Sequence, residues 1–259
     1  MISLTKTVFS FLLIASSLFA GTTDPLTNDN KYIEYGNKFE YVLSICGLSE
    51  DNKLFCASAV VIDPEWIITA AHVVKGVKHC GVHVKDSTVI LADEIIWHKD
   101  FNGSFGVADI ALCHLVEPLE LDFYPPLYET EDEVGKICCI SGYGLTGTFL
   151  EGQKISDGKK RAGSNIIDSI SGDLLICTPS RTIRDGRTEL EFMIASGDSG
   201  GGLFIDGKLA GINSCVMAEG KAPKSMYGDE AGHTRVSKYV GWIKEIIEKR
   251  KKKLDKPNP

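Results

Sequence analysis

Three short segments carry side chains that could do covalent chemistry together. Gly197-Asp198-Ser199-Gly200-Gly201 sets one serine among three glycines, and glycine is needed where backbone bends sharply or must approach a substrate with no side chain in the way. Thr69-Ala70-Ala71-His72 places a histidine directly after an apolar run, and Ala108-Asp109-Ile110-Ala111-Leu112 places a carboxylate at the head of another. A serine hydroxyl is a weak nucleophile. It needs a base to take its proton, and the base needs a carboxylate to fix its tautomer and stabilise the imidazolium that forms. Taken singly, His72 reads as a structural histidine, Asp109 as a cap and the glycine stretch as a loop. Taken together, they stand in the order His, Asp, Ser at intervals of 37 and 90 residues, one of the chain orders that build a nucleophilic triad.

Other chemistries compete for the same residues. G-x-S-x-G is also the nucleophile elbow of α/β-hydrolases, but an esterase of that class needs a helix after Ser199 and an acid and histidine downstream. Here a hairpin pattern follows, and His233 is the only later histidine. His79-Cys80-Gly81-Val82-His83 gathers three potential zinc ligands. In an extended strand Cys80 points away from the two histidines, and no second cluster completes four ligands. These residues read as solvated surface, and neither a metal nor a cofactor is expected.

The chain has 259 residues, 43% of them hydrophobic and 24% charged, enough for one large domain or two small ones around real cores. The net charge is −7, and −8 without the first twenty residues, which hold only Lys6. That balance argues against nucleic acid or an anionic membrane as the partner, because binding phosphate needs clustered cations. Lys6, an apolar run from Val8 to Ile14 and small residues up to Ala20 read as a signal peptide cut after Ala20. The run is too short to span a bilayer. The expectation is a secreted or periplasmic protein that is a monomer, with no membrane association after signal removal. Eight cysteines suit that compartment.

The elements that must position the three residues are strands. Short β-branched or aromatic runs predict strands near Tyr41 to Cys46, Leu54 to Ile62, Trp66 to Thr69, Thr88 to Trp97, Ile110 to Val116, Ile137 to Ser141, Leu174 to Cys177 and Leu190 to Ala195. A hairpin from Leu203 to Ser214 turns at Asp206-Gly207. Only the tail reads as a long helix, capped by Ser237, with Tyr239, Val240, Trp242, Ile243, Ile246 and Ile247 on one face. The fold class is therefore all-β, with the seam between two β domains at Phe123 to Pro126. If the first two strands pair, Cys46 and Cys56 lie symmetrically about residue 51 and can form a disulfide. Lys159-Lys160-Arg161, in a Gly-rich stretch from Gly142 to Gly163, reads as an exposed loop open to nicking. The basic run Lys249 to Lys253 reads as a solvated helix end.

With T-A-A-H ending at His72, D-I-A-L starting at Asp109 and G-D-S-G-G around Ser199, the chain resembles the chymotrypsin-like (trypsin-fold) serine peptidases. Ser141-Gly142-Tyr143-Gly144, Gly211-Ile212-Asn213-Ser214 and Thr234-Arg235-Val236-Ser237 are weaker echoes, and the likeness spans roughly residues 38 to 248. The resemblance implies two packed six-stranded β-barrels with a C-terminal α-helix. Laid on this chain, that gives a signal peptide at 1–20, an N-terminal segment or propeptide at 21–37, barrels at 38–125 and 126–236, a helix at 237–251 and a tail at 252–259. It implies a secreted serine endopeptidase acting on polypeptide through an acyl-enzyme, the alternatives being an inactive protease-fold binding module or the esterase above.

By the same resemblance, Ser199, His72 and Asp109 are catalytic and the N–H groups of Gly197 and Ser199 form the oxyanion hole. Ser214, Cys215 and Val216 pair with the substrate backbone, and Met193 lies at the base of the specificity pocket. An uncharged Met193 and a branched Val216 imply cleavage after small or medium apolar residues, unless Asp229 or Glu230 reaches into the pocket. Val73, Ala195 and Ile205 stand where family members carry cysteines, Ile205 at the place of a partner for Cys138. Family members pair a new amino terminus, about forty residues before the histidine, with the aspartate preceding the nucleophile. Here that implies cleavage after Lys31 and a Tyr32 terminus meeting Asp198.

Overall fold

The computed structural model describes residues 20–84, 88–155, 157–181 and 187–254; most of the expected signal peptide lies outside the described residues. The chain begins with a two-residue strand β1 (Thr22–Thr23) and helix α1 (Asp29–Gly36). Next come β2 (Val42–Ser49), β3 (Leu54–Asp63), β4 (Trp66–Thr69), the single turn α2 (Ala71–Val74), β5 (Val77–His83), β6 (Val89–Trp97) and β7 (Ala111–Leu115). Past the expected seam follow β8 (Ile137–Gly142), β9 (Thr146–Thr148), β10 (Gly152–Ile155), β11 (Arg161–Ile166), β12 (Ser169–Ser171), β13 (Leu174–Cys177) and β14 (Phe192–Met193). The chain then forms β15 (Gly202–Ile205), β16 (Lys208–Met217), β17 (Glu230–Arg235) and helix α3 (Val240–Leu254).

Strands β2, β3, β4, β7, β6 and β5, in that order, close a barrel. Val42, Ile45, Trp66, Ile68 and Leu112 belong to its buried core. Cys46 faces Cys56 across the first hairpin and the two form the expected disulfide. Five consecutive residues of β3, from Ala57 to Val61, are all buried. In an alternating strand that means both faces are covered, one by the barrel interior and the other by the second half of the molecule. The second half is an antiparallel sheet of seven strands ordered β11-β8-β15-β16-β17-β13-β12, joined by a smaller sheet β10-β9-β1-β14. The Asp206-Gly207 turn is as expected, with both residues at positive φ.

Several expectations give way here. β5 occupies the segment taken for solvated surface: Cys80 is buried in the first core while His79 is exposed. The predicted strand at Leu190 to Ala195 shortens to Phe192–Met193. Lys160 and Arg161 are not an exposed loop. Lys160 Nζ donates to the carbonyls of Phe39 and Val42, and the buried Arg161 guanidinium binds Asp29 and Asp157. Ser237 does not cap α3, because its hydroxyl donates to Glu133 Oε1 at 2.8 Å. Helix α1 has no apolar stripe to announce it; Asn28 caps it by accepting from Asn30 N at 2.9 Å. Cys138 Sγ lies 3.9 Å from Cys177 Sγ.

Candidate active site

His72 sits in α2, immediately after the chain leaves β4, and its backbone N–H donates to Asp109 Oδ1 at 2.9 Å. Its ring Nδ1 lies 2.7 Å from Asp109 Oδ2. Both contacts fix the imidazole, and an ionised carboxylate on Nδ1 leaves Nε2 as the atom free to accept a proton. Asp109 is fully buried. Burial alone raises its pKa, but the hydrogen bonds and charge of His72, with the hydroxyl of Ser214 at 2.6 Å, hold the carboxyl below the usual range. Thr234 Oγ1 fixes the Asp109 backbone carbonyl at 3.0 Å. Ala108, just before it, takes a left-handed φ of 49°, a conformation that β-carbon residues adopt only under constraint.

Ser199 comes from the second half and shares its cleft with His72. The first barrel grips its loop through Ser58, a residue that the sequence reading missed. Ser58 N donates to Ser199 O at 2.9 Å and Ser58 Oγ to Gly197 O at 3.0 Å. The same hydroxyl accepts from Tyr143 N at 2.9 Å. Gly200 has φ of 82°, and a β-carbon there would fall 2.2 Å from Ser58 O. The N–H groups of Gly197 and Ser199 have no acceptor among the described residues.

Asp198 is buried and accepts three backbone N–H groups, from Gly21 at 2.8 Å, Ala195 at 2.8 Å and Gly144 at 2.7 Å. Gly21, not Tyr32, meets it. Tyr32 is buried within α1, and the stretch containing this helix lengthens the path, so the residue at Asp198 stands 51 positions before His72 rather than about forty.

The cleft beside Ser199 is lined by Ile194, Ala195, Ser196, Ser214, Cys215, Val216, Pro223 and Ser225, with Phe105 beyond His72. Met193 does not line it. Its strand pairs with β1, and Met193 is fully buried. Ser225, buried at a φ of 59°, is the wall residue that sequence reasoning overlooked. Asp229 does not reach the cleft: it is buried, accepts from Lys224 N and Met226 N, and pairs with Lys221 at 3.0 Å. Ser214 falls at the register shift between β16 and β17, which turns its hydroxyl onto Asp109.

A His–Asp pair on a closed antiparallel barrel, facing a serine on a glycine loop of a second antiparallel sheet, defines the two-barrel class of serine peptidases. The strand β15 that follows Ser199 removes the α/β-hydrolase reading. The chain belongs to the trypsin family, whose family model, described as Trypsin, matches residues 35–243, and it is a serine endopeptidase. Human kallikrein-4 is 24% identical over 256 residues, covering 93% of this chain and 94% of its own. Trypsin of Sus scrofa is 28% identical over 247 residues, covering 86% and 98%. Among solved structures, HL collagenase matches with a TM-score of 0.65 at 21% identity over 82% of this chain and 95% of its own. Neuropsin, a serine protease of mouse brain, matches at 0.64 and 21% over 82% and 96%.

Proposed function

We propose that the chain is an exported endopeptidase that cleaves polypeptides after small or medium apolar residues, with Ser199, His72 and Asp109 as its triad. Ser199 Oγ attacks the scissile carbonyl while His72 Nε2 takes its proton. Asp109, ionised and buried, steadies the imidazolium. His72 then passes that proton to the leaving amine, and water, deprotonated by the same imidazole, releases the acyl group from Ser199. The oxyanion meets the uncommitted N–H groups of Gly197 and Ser199, one of which can be worth about 3 kcal/mol in the transition state. Ser214, Cys215 and Val216, in the part of β16 that runs beyond its pairing with β15, receive the substrate backbone as an added strand.

The observation that carries the preference is the cleft wall. Val216 and Ser225 both line the cleft beside Ser199, and no carboxylate side chain among the described residues lines it. A substrate arginine would bury its cation there unpaired, which costs several kcal/mol. An exported setting is supported by the leader-like first twenty residues; among the described residues no helix is long and apolar enough to cross a membrane. The test is hydrolysis of matched peptides with Ala, Val, Leu, Phe or Arg before the scissile bond. The highest kcat/KM is expected for Ala or Val, and a dominant rate for Arg overturns the preference. A fluorophosphonate probe that labels wild-type protein but not Ser199→Ala separates the enzyme from an inactive binding module.

A further inference from the structure

We propose that Cys138 and Cys177 close into a disulfide in the exported protein, a second covalent tie that joins the two ends of the open sheet in the second half. The inference rests on the exported setting proposed above, which supplies the oxidant, and not on the peptidase chemistry.

The two sulfurs lie 3.9 Å apart across 39 residues of sequence, and both residues are fully buried. Cys138 is on β8 and Cys177 on β13, the second and the sixth strands in the order β11-β8-β15-β16-β17-β13-β12. These two strands do not pair with each other, so the contact crosses the interior of the rolled sheet, one strand in from each edge. The first half closes its barrel with a complete ring of strand pairs, whereas the second half does not. A bond here supplies the link that its backbone hydrogen bonds leave out. No other thiol competes for Cys138. Ile205, in the same core, carries no sulfur. Cys139 points the opposite way from β8, its Sγ 2.8 Å from Tyr35 Oη. Cys80 and Cys113 lie in the first core, Cys215 packs with Leu174 and Ile176, and Cys46 and Cys56 hold each other.

Disulfide sulfurs stand about 2.0 Å apart, so the pair closes by about 2 Å, a movement of the size that side-chain rotation supplies. The oxidant is a small-molecule disulfide such as glutathione disulfide. One cysteine thiolate attacks a sulfur of it and releases the first glutathione thiolate. The other cysteine thiolate attacks the protein sulfur of the mixed disulfide and releases the second. Two cysteines are oxidised, one glutathione disulfide is reduced, and the two thiol protons pass through water to the released thiolates. Burial sets when this happens. The hydrogen bond with Cys138 and burial hold the Cys177 thiol well above its ordinary range, so the folded chain offers neither a thiolate nor a path to it. Exchange therefore takes place while the second half is still open, and folding then shields the bond from reductants. The Cys46–Cys56 bridge, itself half-exposed, marks the chain as one that matures where disulfides persist.

The experiment uses the full chain exported with its own leader. After denaturation in guanidinium with iodoacetamide and no reductant, peptide mapping is expected to find Cys138 and Cys177 in one cross-linked peptide. Under native conditions dithiothreitol should cleave the half-exposed Cys46–Cys56 bond roughly tenfold or more faster than the Cys138–Cys177 bond, because the buried one reacts only through local opening. Dithiothreitol should also lower the wild-type Tm by about 10 °C more than it lowers that of Cys138→Ala/Cys177→Ala, the shift expected of a crosslink closing a loop of this length. Both proteins lose the Cys46–Cys56 bond, so the difference belongs to the second pair. Refolding the reduced chain with glutathione disulfide is independent of export and should give the same bridge. Alkylated Cys138 or Cys177 in the exported protein, either one bonded to another cysteine, or equal Tm losses overturn the proposal. A bridge that forms on refolding, in a protein that cells retain rather than export, refutes the exported setting and leaves the bond standing.

Discussion

The Ser58 hydroxyl donates to the carbonyl oxygen of Gly197 at 3.0 Å, across 139 residues of sequence and across the boundary between the two halves. Because it also accepts from Tyr143 N, and Ser58 N holds Ser199 O, one side chain and its own amide fix both sides of the nucleophile loop. Ser58→Ala removes the hydroxyl but keeps the backbone bond. Two partly buried polar groups, Gly197 O and Tyr143 N, lose their partner, at about 1–3 kcal/mol each where water cannot replace it. The expected result is a kcat roughly tenfold lower with KM little changed, since the loss is one of orientation. Steady-state kinetics on the alanine peptide checks it.

The triad substitutions should behave as one unit. Ser199→Ala and His72→Ala each abolish most turnover while circular dichroism stays native, because neither side chain fills a core. Asp109→Asn should lower kcat by roughly 10⁴ by presenting the wrong tautomer of His72. Near-normal turnover in any of the three contradicts the assignment.

Much of this site was legible because its chemistry needs particular residue types in particular local settings. His72 follows an apolar strand, Asp109 heads another, and Ser199 sits where glycines mark tight backbone. The disulfide was legible because a hairpin has a centre, and Cys46 and Cys56 lie symmetrically about it. Ser58 carried no signal, since a lone serine within a buried strand looks like any tolerated small residue. Arg161 was misread because a basic triplet near glycines resembles a loop, whereas strand alternation turns its side chain inward onto Asp29. The residue facing Asp198 was misplaced because counting back from His72 cannot see a polar helix in between. Ser225 is recognisable only once the chain between β16 and β17 is placed against Val216.

Widening the pocket should move specificity in a stated direction. Val216→Gly and Ser225→Gly remove the two side chains that narrow the cleft beside Ser199, and the second also relieves the left-handed φ of Ser225. The double variant should raise kcat/KM for Phe relative to Ala by about tenfold or more, in line with about 1–3 kcal/mol for a changed apolar fit. Competition between the two peptides in one reaction reads the ratio directly.

Arg161 ties α1 to the second sheet. Its guanidinium meets Asp29 Oδ1 and Oδ2 at 2.6 Å each and Asp157 Oδ1 and Oδ2 at 2.9 Å each, two forked pairs on one buried group. Arg161→Met leaves two carboxylates that can turn to solvent, so a loss of about 2 kcal/mol is expected rather than the full cost of a stranded buried charge. For a chain of this size that lowers Tm by roughly 4–8 °C. Arg161→Lys should recover little, because an ammonium cannot hold both forks. Thermal melting of the three proteins checks the ranking.

His233 should make the fold acid-sensitive. It is fully buried, and burial pushes its pKa down from 6.5 to about 3. Asn213 donates its amide to the carbonyls of Ser141 and Asp198, so its Oδ1 accepts from His233 Nδ1 at 2.9 Å. Nε2 finds no acceptor among the described residues, so a proton added there brings a buried, unpaired charge. Below pH 6.5 the unfolded chain takes up a proton that the folded chain refuses until about pH 3. Stability contributed by the neutral ring is therefore present above 6.5 and lost as pH falls, at about 1.4 kcal/mol per pH unit, or about 3 kcal/mol by pH 4. His233→Asn keeps a donor toward Asn213 and removes the titration. Urea unfolding from pH 7 to pH 4 should show a slope shallower by about one proton in His233→Asn than in wild type, whatever the variant's absolute stability. Equal slopes would place the acid sensitivity elsewhere in the molecule.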